Sequence, residues 1–111
     1  MTFAVIDAAV FGALRANLGA EFATELVDTF ATEAPQLLAE LRAARQEGNA
    51  DRFRRAAHAL KSNGSAFGAS RFAEQARALE LGGLPPDGLS TEALAQAFEQ
   101  ALAELRRLCA K

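Results

Sequence analysis

The chain has 111 residues, half of them apolar, with eight Phe, no Trp or Tyr and a net charge of −2. That is enough apolar material for one core and fits a single domain over residues 1–111, and the acidic balance excludes a general nucleic-acid binder. One cysteine, Cys109, rules out an internal disulfide and fits a reducing compartment.

No apolar run approaches the ~18 residues of a membrane span. The opening MTFAVIDAAV lacks the basic region and long apolar run of a signal peptide. A cytoplasmic protein with no membrane partner is therefore expected. Ala, Leu, Glu, Arg and Gln dominate, and β-branched residues are scarce, so the expected fold class is all-α.

A first, short helix is predicted to start after Asp7, a good N-cap, and to end before Gly19. Ala9, Val10, Ala13 and Leu14 give it one apolar side. A longer helical pattern follows over about residues 20–47, with Phe22, Leu26, Phe30, Leu37, Leu41 and Ala44 recurring near helical period. Pro35 lies inside it and is expected to kink or break it. Gly48 ends it, and Asn49 or Asp51 caps the next helix. That third helix, residues 50–67, lines Phe53, Ala57, Leu60, Gly64 and Phe67 along one face. A fourth, about 70–81, opens with Ser70 as a cap and points Phe72, Ala73, Ala76 and Leu79 inward. The stretch LGGLPPDGL, residues 81–89, is a loop by its prolines and glycines. Ser90 or Thr91 then caps a last helix carrying Leu94, Phe98, Ala101, Leu102, Leu105 and Leu108. The expectation is an antiparallel four-helix bundle with a short additional N-terminal helix.

Charge is unevenly distributed. Residues 1–41 carry −5, residues 42–77 carry +5 and residues 78–111 carry −2. The basic block is centred on His58, the one histidine, and suggests a negatively charged partner. On the third helix His58 lies roughly 140° from Phe53, away from the core stripe. Its helical neighbours are Arg54, Lys61, Ser62 and Ser65, so the ring is expected to be exposed among cations and small side chains.

One His and one distant Cys do not make a metal site. No GxxxxGK[ST] or GxGxxG is present, and no cofactor is implied. An exposed neutral imidazole, with an unperturbed pKa of about 6.5, is a good nucleophile near neutral pH. Lys61, one turn on, is placed to neutralise an incoming phosphoryl group, with Arg54 in support. Phosphoryl transfer asks mostly for positioning and charge neutralisation. Poor helix formers in SNGSAFG, residues 62–68, keep the face beside the histidine flat. Gly64 falls on the core stripe, where a missing side chain lets another helix approach. Gly68 stands at the helix end as a turn residue.

The stretch HALKSNGSAFGA, residues 58–69, followed by Phe72, Ala76, Leu79 and Glu80, resembles the histidine-containing phosphotransfer (HPt) domain of multistep two-component signalling. The family pattern reads H-x-L-K-[GS]-x-[SAG]-x-x-[LFI]-G-A, with a Leu-Glu or similar pair about twenty residues after the histidine. The resemblance spans the whole chain, although the flanking helices are generic. It implies that His58 accepts a phosphoryl group from a receiver-domain aspartate and passes it to a second receiver. Carried over by position, Lys61 balances the phosphate charge and Glu80 orients the imidazole through its other nitrogen. Partner contact is assigned to Arg54, Arg55, Ser62, Ser65, Phe67 and Gly68. Ser62 replaces the commonest glycine after the lysine, and Ala76 stands where many members have cysteine; neither casts doubt on transfer.

The implied partners are response-regulator receiver domains and a sensor or hybrid histidine kinase, met by a monomeric phosphocarrier without kinase or ATP-binding activity of its own. The alternative is a non-catalytic helical adaptor that binds receivers or kinases without transferring phosphate. A kinase dimerisation helix is disfavoured, because it would carry an acidic residue where Ala59 stands. Starting at Met1, the chain reads as a stand-alone protein, with a domain of a hybrid kinase as the other possibility.

Overall fold

Asp7 begins the regular structure. Its carboxylate accepts from the backbone N–H groups of Ala9 and Val10, two donors that the first turn would otherwise leave unbonded. In the computed structural model, which describes residues 3–110, five α-helices follow: α1 (Ala8–Leu18), α2 (Ala20–Glu47), α3 (Ala50–Ala66), α4 (Ser70–Gly82) and α5 (Leu89–Cys109). No strand occurs among the described residues. Helix α2 packs on α3, α3 on α4, α4 on α5 and α5 back on α2. These four neighbours close a bundle, and α1 lies against α2. The short links make neighbours antiparallel. Ion pairs between Arg42 and Glu92, and between Asp28 and Arg106, trace the opposed runs of α2 and α5.

The core is built from Phe rings and small residues. Phe30 is the hub: its ring lies 5.1 Å from Phe67, 5.9 Å from Phe72 and 5.2 Å from Phe98. The expected stripes of α3 and α4 are buried as read. That of α1 is not: Phe11 is its buried residue, and Val10 faces out. The stripe of α2 holds at Phe30, Leu41 and Ala44 and is turned elsewhere. Ala23, Val27, Phe30, Ala34, Leu38, Leu41 and Ala44 are buried, Leu26 and Leu37 lie half-buried, and Phe22 is exposed. The spacing of three and four residues is kept, with Ala23, Ala34 and Ala44 among the buried positions.

Pro35 neither breaks α2 nor ends it. It stands on the exposed side, where the Ala31 carbonyl that it leaves unbonded can meet water. Two expected caps differ as well. Ala69, not Ser70, precedes α4, and the Ser70 hydroxyl donates to the Gly68 carbonyl. Helix α5 starts at Leu89, whose N–H is taken by the Asp87 carboxylate at 2.9 Å; the Thr91 hydroxyl donates to the Gly88 carbonyl. Asn49 caps α3 as expected.

Candidate functional site

The turn between α3 and α4 sets the site. Gly68 has φ +75°, the left-handed region that glycine enters without penalty. Its N–H donates to the Ser65 carbonyl (3.1 Å), and the Ala69 N–H donates to that of Gly64 (2.9 Å). This is a Schellman ending, and it sends α4 straight back along α3. The segment before α1 braces it: the Asp7 N–H donates to the Gly68 carbonyl at 2.7 Å, and the Arg71 N–H to the Ala4 carbonyl at 3.0 Å. Gly64 lets the two helices come close, because a Cβ there would lie 2.6 Å from Cδ2 of Phe72.

With the helices so paired, residue 80 comes opposite residues 58 and 61. His58 Nδ1 lies 2.6 Å from Glu80 Oε2, and Lys61 Nζ lies 2.8 Å from Glu80 Oε1. The Glu80 side chain is 13% exposed, that of Lys61 29% and that of His58 57%. The carboxylate thus sits at the base of the site, and the ring stands out above it. Lys61 first, and then His58, hold the Glu80 carboxyl below its usual range. An ionised carboxylate only accepts, so the neutral ring carries its proton on Nδ1. The lone pair is then on Nε2, at the open edge of an exposed ring.

Ser62, Ser65 and Ala66 are exposed beside the ring, so the face is low. Arg54 and Arg55, expected as partner contacts, are exposed but share Asp51, at 2.7 and 3.2 Å. Phe67 and Gly68 are not brought to the surface. Phe67 is 7% exposed and packed on Phe30, and Gly68 is buried beneath the Asp7 carbonyl and Val10. Phe67 instead floors a groove of about 240 Å³ that begins at Ser62 and Asn63 and runs between Leu14, Leu26, Phe30 and Glu33. Leu26 and Phe30 belong to the apolar stripe expected of α2, and here they also wall this groove, beside Thr29 and Glu33 of the same helix.

A family model, the Hpt domain, matches residues 25–108. The chain belongs to the Hpt domain family. The Hpt chain is also similar to a solved structure, the crystal structure of histidine-containing phosphotransfer protein B (HptB) from Pseudomonas aeruginosa PAO1. The two are 28% identical, the match covers 97% of this chain and 93% of that one, and the TM-score is 0.76. No curated protein matches. Histidine phosphotransfer in a phosphorelay is the role of this Hpt protein, and its fold is the helical bundle of HptB. Among the described residues no helix is long and apolar enough to cross a membrane.

Proposed function

We propose that His58 is the residue that carries the phosphoryl group, with Lys61 as its counter-charge and Glu80 as the residue that orients the ring. The observation that carries this reading is Glu80 bridging the two: one carboxylate oxygen on Nδ1, the other on the Lys61 ammonium. The Nε2 lone pair attacks the phosphorus of a receiver's aspartyl phosphate. A P–N bond forms, the P–O bond breaks, and its electron pair returns to the aspartate carboxylate. Lys61, a cation one turn along, meets the incoming charge. The Ser62 and Ser65 side leaves room for the partner's acidic pocket to bring the phosphoryl group in line.

Receiver domains are the donors and acceptors on this reading, with a sensor or hybrid histidine kinase at the head of the relay. The protein acts as a cytoplasmic monomer, since a second copy on the His58 face would block transfer. It has no ATP chemistry of its own.

A receiver domain charged with a small-molecule phosphodonor tests this. Mixed with the native protein, it should yield one acid-labile phosphoryl group by intact mass; His58→Gln should yield none and stay folded. Failure of the native protein to gain mass from several charged receivers would favour the adaptor reading. Unfolding of His58→Gln would show the ring to be a core residue.

A further inference from the structure

Glu80 holds two groups that respond oppositely to phosphorylation. In the resting site Lys61 and His58 share its carboxylate. Once Nε2 bears a phosphoryl group, its lone pair is the P–N bond, and the ring that keeps Nδ1–H is a cation. The new dianion competes for the Lys61 ammonium, which has three donors to offer. Glu80 is then the nearest counter-charge to Nδ1–H, at 2.6 Å and with little of its side chain open to water.

From this juxtaposition we infer that Glu80 keeps the Nδ1 proton on phosphorylated His58, and so keeps the phosphoryl group transferable in both directions at neutral pH. The inference rests on His58 being the phosphoacceptor. Onward transfer forms a P–O bond to the acceptor carboxylate and breaks the P–N bond. The electron pair returns to Nε2. With Nδ1 protonated, the leaving group is a neutral imidazole, and the ring ends in its starting tautomer. No proton moves in either direction. With Nδ1 bare, the leaving group is an imidazolate anion, and transfer stalls. A carboxylate against Nδ1 therefore does more than aim the ring: it sets the upper pH limit of exchange.

The other charges around the ring are accounted for. From α4, Glu80 faces it, and Arg77 turns to Glu74. From α3, Lys61 stands against Glu80, and Arg54 is drawn to Asp51. Lys61 weakens the pull of Glu80 on the proton, so the two residues push the titration of the phosphorylated ring in opposite directions.

Phosphoramidate, a donor that phosphorylates accessible histidines without a receiver, makes the test independent of any partner. The native protein, Glu80→Gln and Lys61→Met are each charged with it, and the phosphorylated ring is titrated by 31P and 1H–15N NMR. Gln still accepts from Nδ1–H but carries no charge. Its ring should lose the proton about one pH unit or more below the native protein, and Lys61→Met should shift it upward. The pH profile of phosphoryl loss should move with the titration, making Glu80→Gln roughly tenfold slower above the native midpoint. Identical titrations in all three proteins overturn the inference. So does a slowing of Glu80→Gln that is the same at every pH, which would mark Glu80 as a support alone. Failure of phosphoramidate to label His58 of the native protein would overturn the phosphoacceptor assignment itself, a result distinct from labelled rings that titrate alike.

Discussion

Replacing Gly64 by Ala adds one methyl group where α3 meets α4. Its Cβ would lie 2.6 Å from Cδ2 and 3.1 Å from Cε2 of Phe72. Carbons in contact sit at roughly 3.5–4.0 Å, so the overlap approaches 1 Å. The ring has little room to yield. It is buried, with Phe30 edge-on at 5.9 Å and Phe98 at 6.2 Å. Overpacking of this kind costs about 1–3 kcal/mol, while Ala in a helix interior returns about 1 kcal/mol over Gly. The boxed ring places the net loss at about 1–2 kcal/mol, or a fall in Tm of roughly 5–10 °C for a domain near 100 residues. Thermal unfolding followed by circular dichroism reads this directly. Phe72→Leu supplies the control: it opens a cavity and destabilises alone, but in its background Gly64→Ala should cost less than in the native protein. A variant as stable as the native protein, or strictly additive costs, would refute the claim that this ring sets the approach of the two helices. The site should follow the packing. Helices held further apart lengthen the reach from Glu80 to His58, so Gly64→Ala should also accept phosphoryl groups more slowly.

Two further expectations follow from the same elements. Glu80 is held below its usual range by Lys61 and His58, so it binds protons less readily folded than unfolded. Its contribution is fully present above the ordinary carboxylate value near 4.5 and is lost as pH falls through the lower folded value; a plot of Tm against pH should therefore drop less steeply in acid for Glu80→Gln than for the native protein. Gly68→Ala meets both a positive φ of +75° and the Asp7 carbonyl at 2.9 Å, which does not yield as a side-chain tip would. A loss of about 1–3 kcal/mol in denaturant unfolding is expected, and a loss below about 0.5 kcal/mol would mean that the turn relaxes freely.

The legible part of the fold was the part where one period dominated. In α3, Phe53, Ala57, Leu60 and Gly64 are all buried, as is Phe67 just after it, and one apolar stripe dominates, so the exposure of His58 followed from its angle. In α2 two stripes one residue apart both looked apolar. Phe22 and Leu26 are the larger apolar residues, yet Ala23 and Val27 are the buried ones, and size alone does not say which stripe turns inward. Two caps were missed because backbone geometry upstream determined them: the Schellman turn leaves Ser70 facing the Gly68 carbonyl, and the last helix begins before Ser90 and Thr91, with Asp87 accepting from the Leu89 N–H. His58, Lys61 and Glu80 were legible one by one. The resemblance puts Glu80 at the ring's other nitrogen, where the structure has it; that the same carboxylate also takes the Lys61 ammonium was not legible, because Glu80 lies on another helix and its register depends on the turn at Gly68.

The basic block looked like an electrostatic guide for an acidic partner, and folding removes most of it. Arg52 pairs with Glu40 and Glu47, Arg54 and Arg55 with Asp51, Lys61 with Glu80, Arg77 with Glu74 and Arg42 with Glu92. Glu40, Glu80 and Glu92 come from outside residues 42–77, and adding them takes that block from +5 to +2. Apart from Lys61–Glu80, these pairs are largely exposed and add little stability. Their effect is on the field, which charges closer together than the Debye length of about 8–10 Å cancel before a partner feels it. The paired block is thus left with little charge to steer a partner from long range. What remains beside His58 is a low face of Ser62, Ser65 and Ala66 and an apolar groove floored by Phe67. With His58 as the proposed phosphoacceptor, recognition on this face would fall to shape and apolar contact at short range. In the proposed role, Lys61 would meet an incoming phosphoryl group only by giving up part of its hold on Glu80. Contact and charge are joined in that exchange, because the partner that docks closely enough to bring the phosphoryl group in line is also the one that draws Lys61 away.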